Sequence, residues 1–85
     1  MTVEEIYEMF ENDDIFSNPK VEGDRALLGL QILSKYSDYV LHGADHDIIY
    51  SIDVGEVEGK ISKEEVQELI DLGWMIQDEY FAKFV

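Results

Sequence analysis

His42 and His46 are the residues best suited to holding a metal or moving a proton. His46 sits between Asp45 and Asp47 in the run GADHDIIYS (43–51). Imidazole and carboxylate ligands suit Zn, Mn or Fe. A catalytic zinc site takes three protein ligands, each held by further hydrogen bonds. A spacing of four would put both histidines on one helix face, but the residues around them are β-branched and aromatic. Neighbouring residues of an extended chain point to opposite sides, so Asp45, His46 and Asp47 do not converge on one ion. Gly43 gives backbone freedom, and the aspartates can bond nearby amides, as in a hairpin turn. A turn entering an apolar strand is therefore the expectation. A small metal-binding domain or metal-dependent enzyme centred on His46, with Asp45 and Asp47, is the alternative.

Other chemistries find less support. The chain has no cysteine, which removes disulfides, thiolate metal sites and cysteine nucleophiles. None of Ser17, Ser34, Ser37, Ser51 or Ser62 lies in a Gly-x-Ser-x-Gly elbow, and Ser62 reads as a helix cap. GEVEGK (55–60) lacks the spacing of a phosphate-binding loop and the hydroxyl residue after its lysine. The acids of 53–65 do not follow the EF-hand pattern. A glycosidic carboxylate pair needs a cleft with room for a sugar, which 85 residues rarely build. A non-enzymatic role is thus the expectation, with no catalytic residue and no cofactor assigned.

The carboxylates make a more regular pattern. Glu4, Glu8 and Glu11 recur on one side of a helical segment, and Glu64, Glu68 and Asp71 repeat the spacing near the other end. At 1.5 Å per residue such carboxylates stand about 4.5–6 Å apart along the helix axis. Two such rails roughly imitate successive phosphates of a nucleic-acid strand. Their plainest use is a solvated helix face. Their functional use is as a decoy that occupies a nucleic-acid-binding groove, with the steep salt dependence of phosphate contacts. Twenty acids against six bases, a net charge of −14, fit a protein partner with a basic surface. The same charge repels nucleic acid itself and anionic membranes.

These side chains need elements to position them. Thr2 and Glu5 form a capping box, and Val3, Ile6, Tyr7 and Phe10 follow at helical spacing to about Asn12. NDDIFSNPK (12–20) reads as a loop. A second helix spans 22–36 with a wide apolar stripe, and Gly29 inside it suits close packing. YVLHG (39–43) and DIIYSIDV (47–54) read as strands around a turn at Gly43-Ala44-Asp45, with Ile48, Tyr50 and Ile52 on one face. GEVEGK is a loop. Ser62 and Glu65 form a second capping box, Val66, Leu69 and Ile70 an apolar face, and Gly73 a C-cap. Residues 74–77 and 80–85 form a last hairpin turning at Asp78-Glu79.

The order α-α-β-β-α-β-β describes an α+β fold, a small, mostly antiparallel sheet with helices on one face. Residues 1–85 make a single acidic domain. With 46% apolar residues the chain should fold, and Leu27, Leu30, Leu33, Ile48, Tyr50, Leu69, Ile70, Trp74 and Phe81 are the expected core. The acidic MTVEEIYEMF start does not resemble a secretory leader, and ALLGLQIL (26–33) is too short to cross a bilayer, so a cytoplasmic location is expected. Tyr7, Phe10, Phe16, Trp74, Tyr80, Phe81 and Phe84 are many aromatics for this length. EYFAKFV (79–85) could form an apolar edge for a partner strand, which makes a homo-oligomeric structural module a third reading.

Three stretches together, ALLGLQILSKY (26–36), GADHDIIYS (43–51) and LGWMIQDEYFAKFV (72–85), resemble a group of small acidic uncharacterised proteins of phages, plasmids and bacterial genomes. The likeness covers the last two-thirds of the chain. It implies a compact α+β domain of mobile-element origin acting on a host or phage macromolecule. It transfers no catalytic residue.

Overall fold

The computed structural model describes residues 1–12 and 24–84. Helix α1 is Val3–Asn12, α2 Arg25–Leu33 and α3 Lys63–Asp71. Strands β1 (Gly43–Asp45), β2 (Ile48–Asp53), β3 (Met75–Gln77) and β4 (Tyr80–Phe84) form one antiparallel sheet in the order β1-β2-β4-β3. The order of elements is the one read from the sequence. Phe16, the loop from residue 13 onward, the start of the second helix at 22 and Val85 lie outside the described residues.

Local chemistry explains the helix ends. At the start of α1, the Thr2 N–H donates to Glu5 Oε1 at 2.8 Å and the Glu5 N–H to Thr2 Oγ1 at 3.2 Å. The next exposed amide, Val3 N–H, donates to Glu58 Oε2 from across the chain, at 2.9 Å. In α3 the Glu65 N–H donates to Ser62 Oγ at 3.2 Å, and the Ser62 N–H returns to Glu65 Oε1 at 3.3 Å. Gly73, at φ +85°, ends α3. Its N–H donates to the Ile70 carbonyl at 2.9 Å and that of Trp74 to Leu69 at 3.0 Å. This double bond around a left-handed residue is a Schellman motif.

The main core lies between the sheet and the helices. Ile6, Phe10, Leu33, Ile52, Leu69, Trp74 and Phe81 are buried there together. The Phe10 and Phe81 rings meet at 6.0 Å and 52°. Helix α2 buries Leu33 and packs Leu30 against the core as expected, but it turns Leu27 outward. Leu27 is 49% exposed and Leu30 only partly buried, whereas Gly29, Ile32 and Leu33 are buried. Gly29 sets this orientation. A Cβ built on it would lie 1.9 Å from Trp74 Nε1, and the Trp74 indole N–H donates to the Arg25 carbonyl at 3.2 Å. The indole thus occupies the notch that a missing side chain leaves.

The first hairpin is shifted from its expected place. Gly43-Ala44-Asp45 is a strand, not a turn, paired Gly43↔Tyr50, Ala44↔Ile49 and Asp45↔Ile48. The turn is His46-Asp47, with His46 at φ +52°. The ladder's last bond is His42 N–H to the Tyr50 carbonyl at 2.9 Å, and Tyr39 and Leu41 lie beyond it, largely exposed. β2 does not keep one alternation either. It pairs Tyr50↔Ala82 and then Asp53↔Tyr80, so Ser51 and Ile52 together oppose Phe81. This bulge puts Ile49 and Ile52 against the main core. Ile48 and Tyr50 pack with Met75 and Ala82 in a second cluster, on the other sheet face. The Ser51 hydroxyl is fully buried at the bulge with no hydrogen-bond partner among the described residues.

A 3-10 helix, Val54–Val57, takes the last residue of the expected strand and the first half of the expected loop 55–60, and it is capped by Asp53 Oδ1, which accepts from the Gly55 N–H at 2.7 Å. Val54, Val57 and Ile61 are buried in the main core. β4 (Tyr80–Phe84) is an inner strand, so this part of EYFAKFV does not form a sheet edge as expected. The edges are β1 and β3.

Candidate partner-binding surface

Ile6 and Phe10 fix the rotation of α1, and Glu4, Glu8 and Glu11 are accordingly exposed on its far side. On α3, Val66, Leu69 and Ile70 face the core, and Glu64 and Glu68 are exposed. Asp71 departs from the rail. It is partly buried, and its Oδ1 accepts from Gln67 Nε2 at 3.0 Å. The two rails do not merge. Between them runs a groove lined by Met9, Asn12, Lys63 and Gln67, which places a lysine at the junction.

The other flank of α3 forms a groove with α2. Leu28, Ile32 and Leu72 line it beside Gln31, Lys35, Glu68 and Asp71, around a volume of about 450 Å³. Glu68 and Asp71 are thus walls of a partly apolar groove as well as members of a rail. Above it, Lys35 Nζ donates to Glu65 Oε2 at 3.0 Å, and the Tyr36 hydroxyl donates to Glu65 Oε1. Burial alone would raise the Glu65 pKa. The hydrogen bonds from Tyr36 and Lys35 outweigh it and hold the carboxyl below its usual range. Burial and the bonded carboxylate push the Tyr36 phenol up to about 12. This cluster ties the end of α2 to the start of α3.

Asp45, His46 and Asp47 all lie exposed at the tip of the first hairpin. His46 Nε2 is 3.7 Å from Asp45 Oδ1. Among the described residues, no group of three histidine, aspartate or glutamate side chains is arranged to hold a metal ion. His42 faces another feature. Its ring meets Tyr80 edge-on at 6.1 Å, and its Nε2 lies 2.7 Å from the Tyr39 carbonyl oxygen.

That contact belongs to a second concavity, which sequence reasoning missed. His42, Gly43, Tyr50, Asp78 and Tyr80 line an open cleft of about 480 Å³. Tyr50 packs in the cluster that the sheet turns away from the helices, and Tyr80 shares the parity of Ala82 in β4. The cleft is therefore on the opposite side of the sheet from the helix layer. Gln77 Nε2 donates to the Tyr50 hydroxyl at 3.3 Å. Asp78 stands in the β3–β4 turn, where it and Glu79 have φ of +52° and +73°. Positive φ at both central residues marks a type I′ turn.

Among the described residues, no helix is long and apolar enough to cross a membrane. No protein-family model matches the chain, no curated protein matches it, and no solved structure matches it.

Proposed function

We propose that this is a non-enzymatic binding protein whose acidic helix layer engages a protein partner with a basic surface, as a nucleic-acid-mimicking decoy of phage or other mobile-element origin. The observation that carries the reading is the exposure of Glu4, Glu8 and Glu11 on α1 with Glu64 and Glu68 on α3, in a chain of net charge −14. Helix geometry spaces the α1 carboxylates at about 4.5–6 Å along the axis, wider than the roughly 3.4 Å axial step between phosphates of one DNA strand, so the likeness lies in a regular row of negative charge rather than in a matching pitch. Fields of one sign over such a surface speed association with oppositely charged partners and repel nucleic acid.

The test has two steps. The protein is immobilised, a bacterial lysate is passed over it, and the partner retained at low salt and released at high salt is purified. That partner is then challenged with duplex DNA and this protein together. A decoy excludes DNA from the partner. Replacing Glu4, Glu8, Glu11, Glu64 and Glu68 by glutamine lowers its affinity and flattens the salt dependence. If the partner binds DNA and this protein at once, or if the glutamine variant binds equally well, the reading fails.

A further inference from the structure

The cleft on the far side of the sheet has its own chemistry. Two phenol rings, Tyr50 and Tyr80, line it with the Asp78 carboxylate, the His42 imidazole and Gly43. No lysine or arginine is among these lining residues, and the whole chain carries −14, so phosphates and carboxylates are poor occupants. A purely apolar ligand would leave the carboxylate without use. A cation over tyrosine rings and beside a carboxylate uses both. Of the two cationic side chains, arginine fits the pair better. Its planar guanidinium stacks on aromatic faces and bonds a carboxylate through a fixed fork, whereas the lysine ammonium is compact and strongly hydrated.

The walls are also held in place before any ligand arrives. Gln77 holds the Tyr50 hydroxyl, and His42 packs edge-on against Tyr80 while its own Nε2 lies against the Tyr39 carbonyl. Gly43 leaves room. A Cβ built there meets no atom within 4 Å, and its φ is not in the left-handed region. The cleft is therefore open on the β1 side, where a side chain could enter from solvent. We infer that this cleft is a binding site for an arginine side chain of a basic protein partner, with the guanidinium between Tyr50, Tyr80 and Asp78.

The inference rests on the basic-partner reading for the origin of the arginine, but it uses residues remote from the acidic rails. Its test is independent of any partner. N-acetyl-arginine amide is titrated into the intact, isotope-labelled protein in about 0.15 M salt, where exposed charges more than about 8 Å apart are largely screened. Shifts are expected in Gly43, Tyr50, Asp78 and Tyr80. N-acetyl-lysine amide should bind at least about threefold more weakly, since an ammonium cannot stack. Tyr80→Leu should weaken arginine binding by about fivefold, within the range of one partly exposed cation–π contact. Gly43→Val fills the open side while suiting an edge strand, and should also weaken binding in a protein that keeps its Tm. The glutamine rail variant should bind the probe as the parent does. Absence of shifts in the cleft, equal binding of the lysine probe, or unchanged binding in Gly43→Val overturns the site. None of these outcomes bears on whether the rails exclude DNA from a partner.

Discussion

Replacing Gly29 by alanine sets two effects of opposite sign against each other. Alanine is the better helix former by about 1 kcal/mol, so an exposed site would gain. Here the new methyl would stand 1.9 Å from Trp74 Nε1 and 2.3 Å from Cε2, inside any allowed contact. The indole must move. Forcing an extra carbon into a packed core costs about 1–3 kcal/mol. Moving the indole also breaks its 3.2 Å bond to the Arg25 carbonyl, and leaving a buried donor unsatisfied costs a further 1–3 kcal/mol or so. The middle of these ranges leaves a net loss of about 3 kcal/mol, a large share of the stability of a domain this size. At about 4–8 °C per kcal/mol, Tm should fall by about 12–24 °C. Calorimetry reads the fall. Trp74 is the only tryptophan, so its fluorescence reports the displacement directly, as a red shift. Gly29→Ala in a Trp74→Phe background should cost less, because the smaller ring lacks the indole nitrogen that stands nearest the new methyl and has no N–H bond to lose. A rise in Tm, or an equal cost in both backgrounds, would refute the notch.

Three further expectations follow from strained or coupled groups. Glu79 holds a left-handed conformation, φ +73°, that disfavours any residue with a Cβ. Glu79→Gly should therefore stabilise by about 0.5–1 kcal/mol after the extra freedom of unfolded glycine is deducted, and a lower urea midpoint would contradict this. The Ser51 hydroxyl, without a partner among the described residues, makes Ser51→Ala neutral or stabilising, by up to about 1 kcal/mol. A clear fall in Tm would show that the hydroxyl is satisfied in solution. The Glu65 pKa is depressed by folding, so its contribution is full above the unfolded value near 4.3 and is lost as pH falls through the folded one. Tyr36, raised to about 12, contributes below its unfolded value of about 10 and loses that contribution as pH climbs to 12. Tyr36→Phe should cost about 1.5 kcal/mol at neutral pH, shift acid unfolding to higher pH and flatten the alkaline arm. Unchanged pH profiles in urea titrations would exclude the coupling.

What was legible in the sequence was local. Both capping boxes and the Gly73 stop are short-range chemistry, and they fall where Thr2, Ser62 and Gly73 put them. The exposure of Glu4, Glu8, Glu11, Glu64 and Glu68 followed from helical periodicity alone. What escaped needs partners distant in sequence. The inward face of α2 is chosen by a residue with no side chain, so hydropathy pointed to Leu27 while Trp74 packs on Gly29. The β2 bulge breaks the alternation only because β4 pairs on both sides of it. Ile48 and Tyr50 were read with Ile52 but face away from it. The pairing Gly43↔Tyr50 moved the hairpin turn to His46-Asp47. The tyrosine cleft joins residues up to 38 positions apart, and only sheet register brings His42 to Tyr80.

The place of β4 has a consequence for how this fold holds together. Tyr80–Phe84 is inserted between β2 and β3, and its Phe81 closes the core against Phe10. Without that segment β2 has only the three-residue β1 to pair with, and the helix layer loses the strand that carries Phe81. An isolated hairpin of this size is marginal at best in water. The sheet is therefore completed only by β4, and the elements on either side of it depend on that one strand for their common fold.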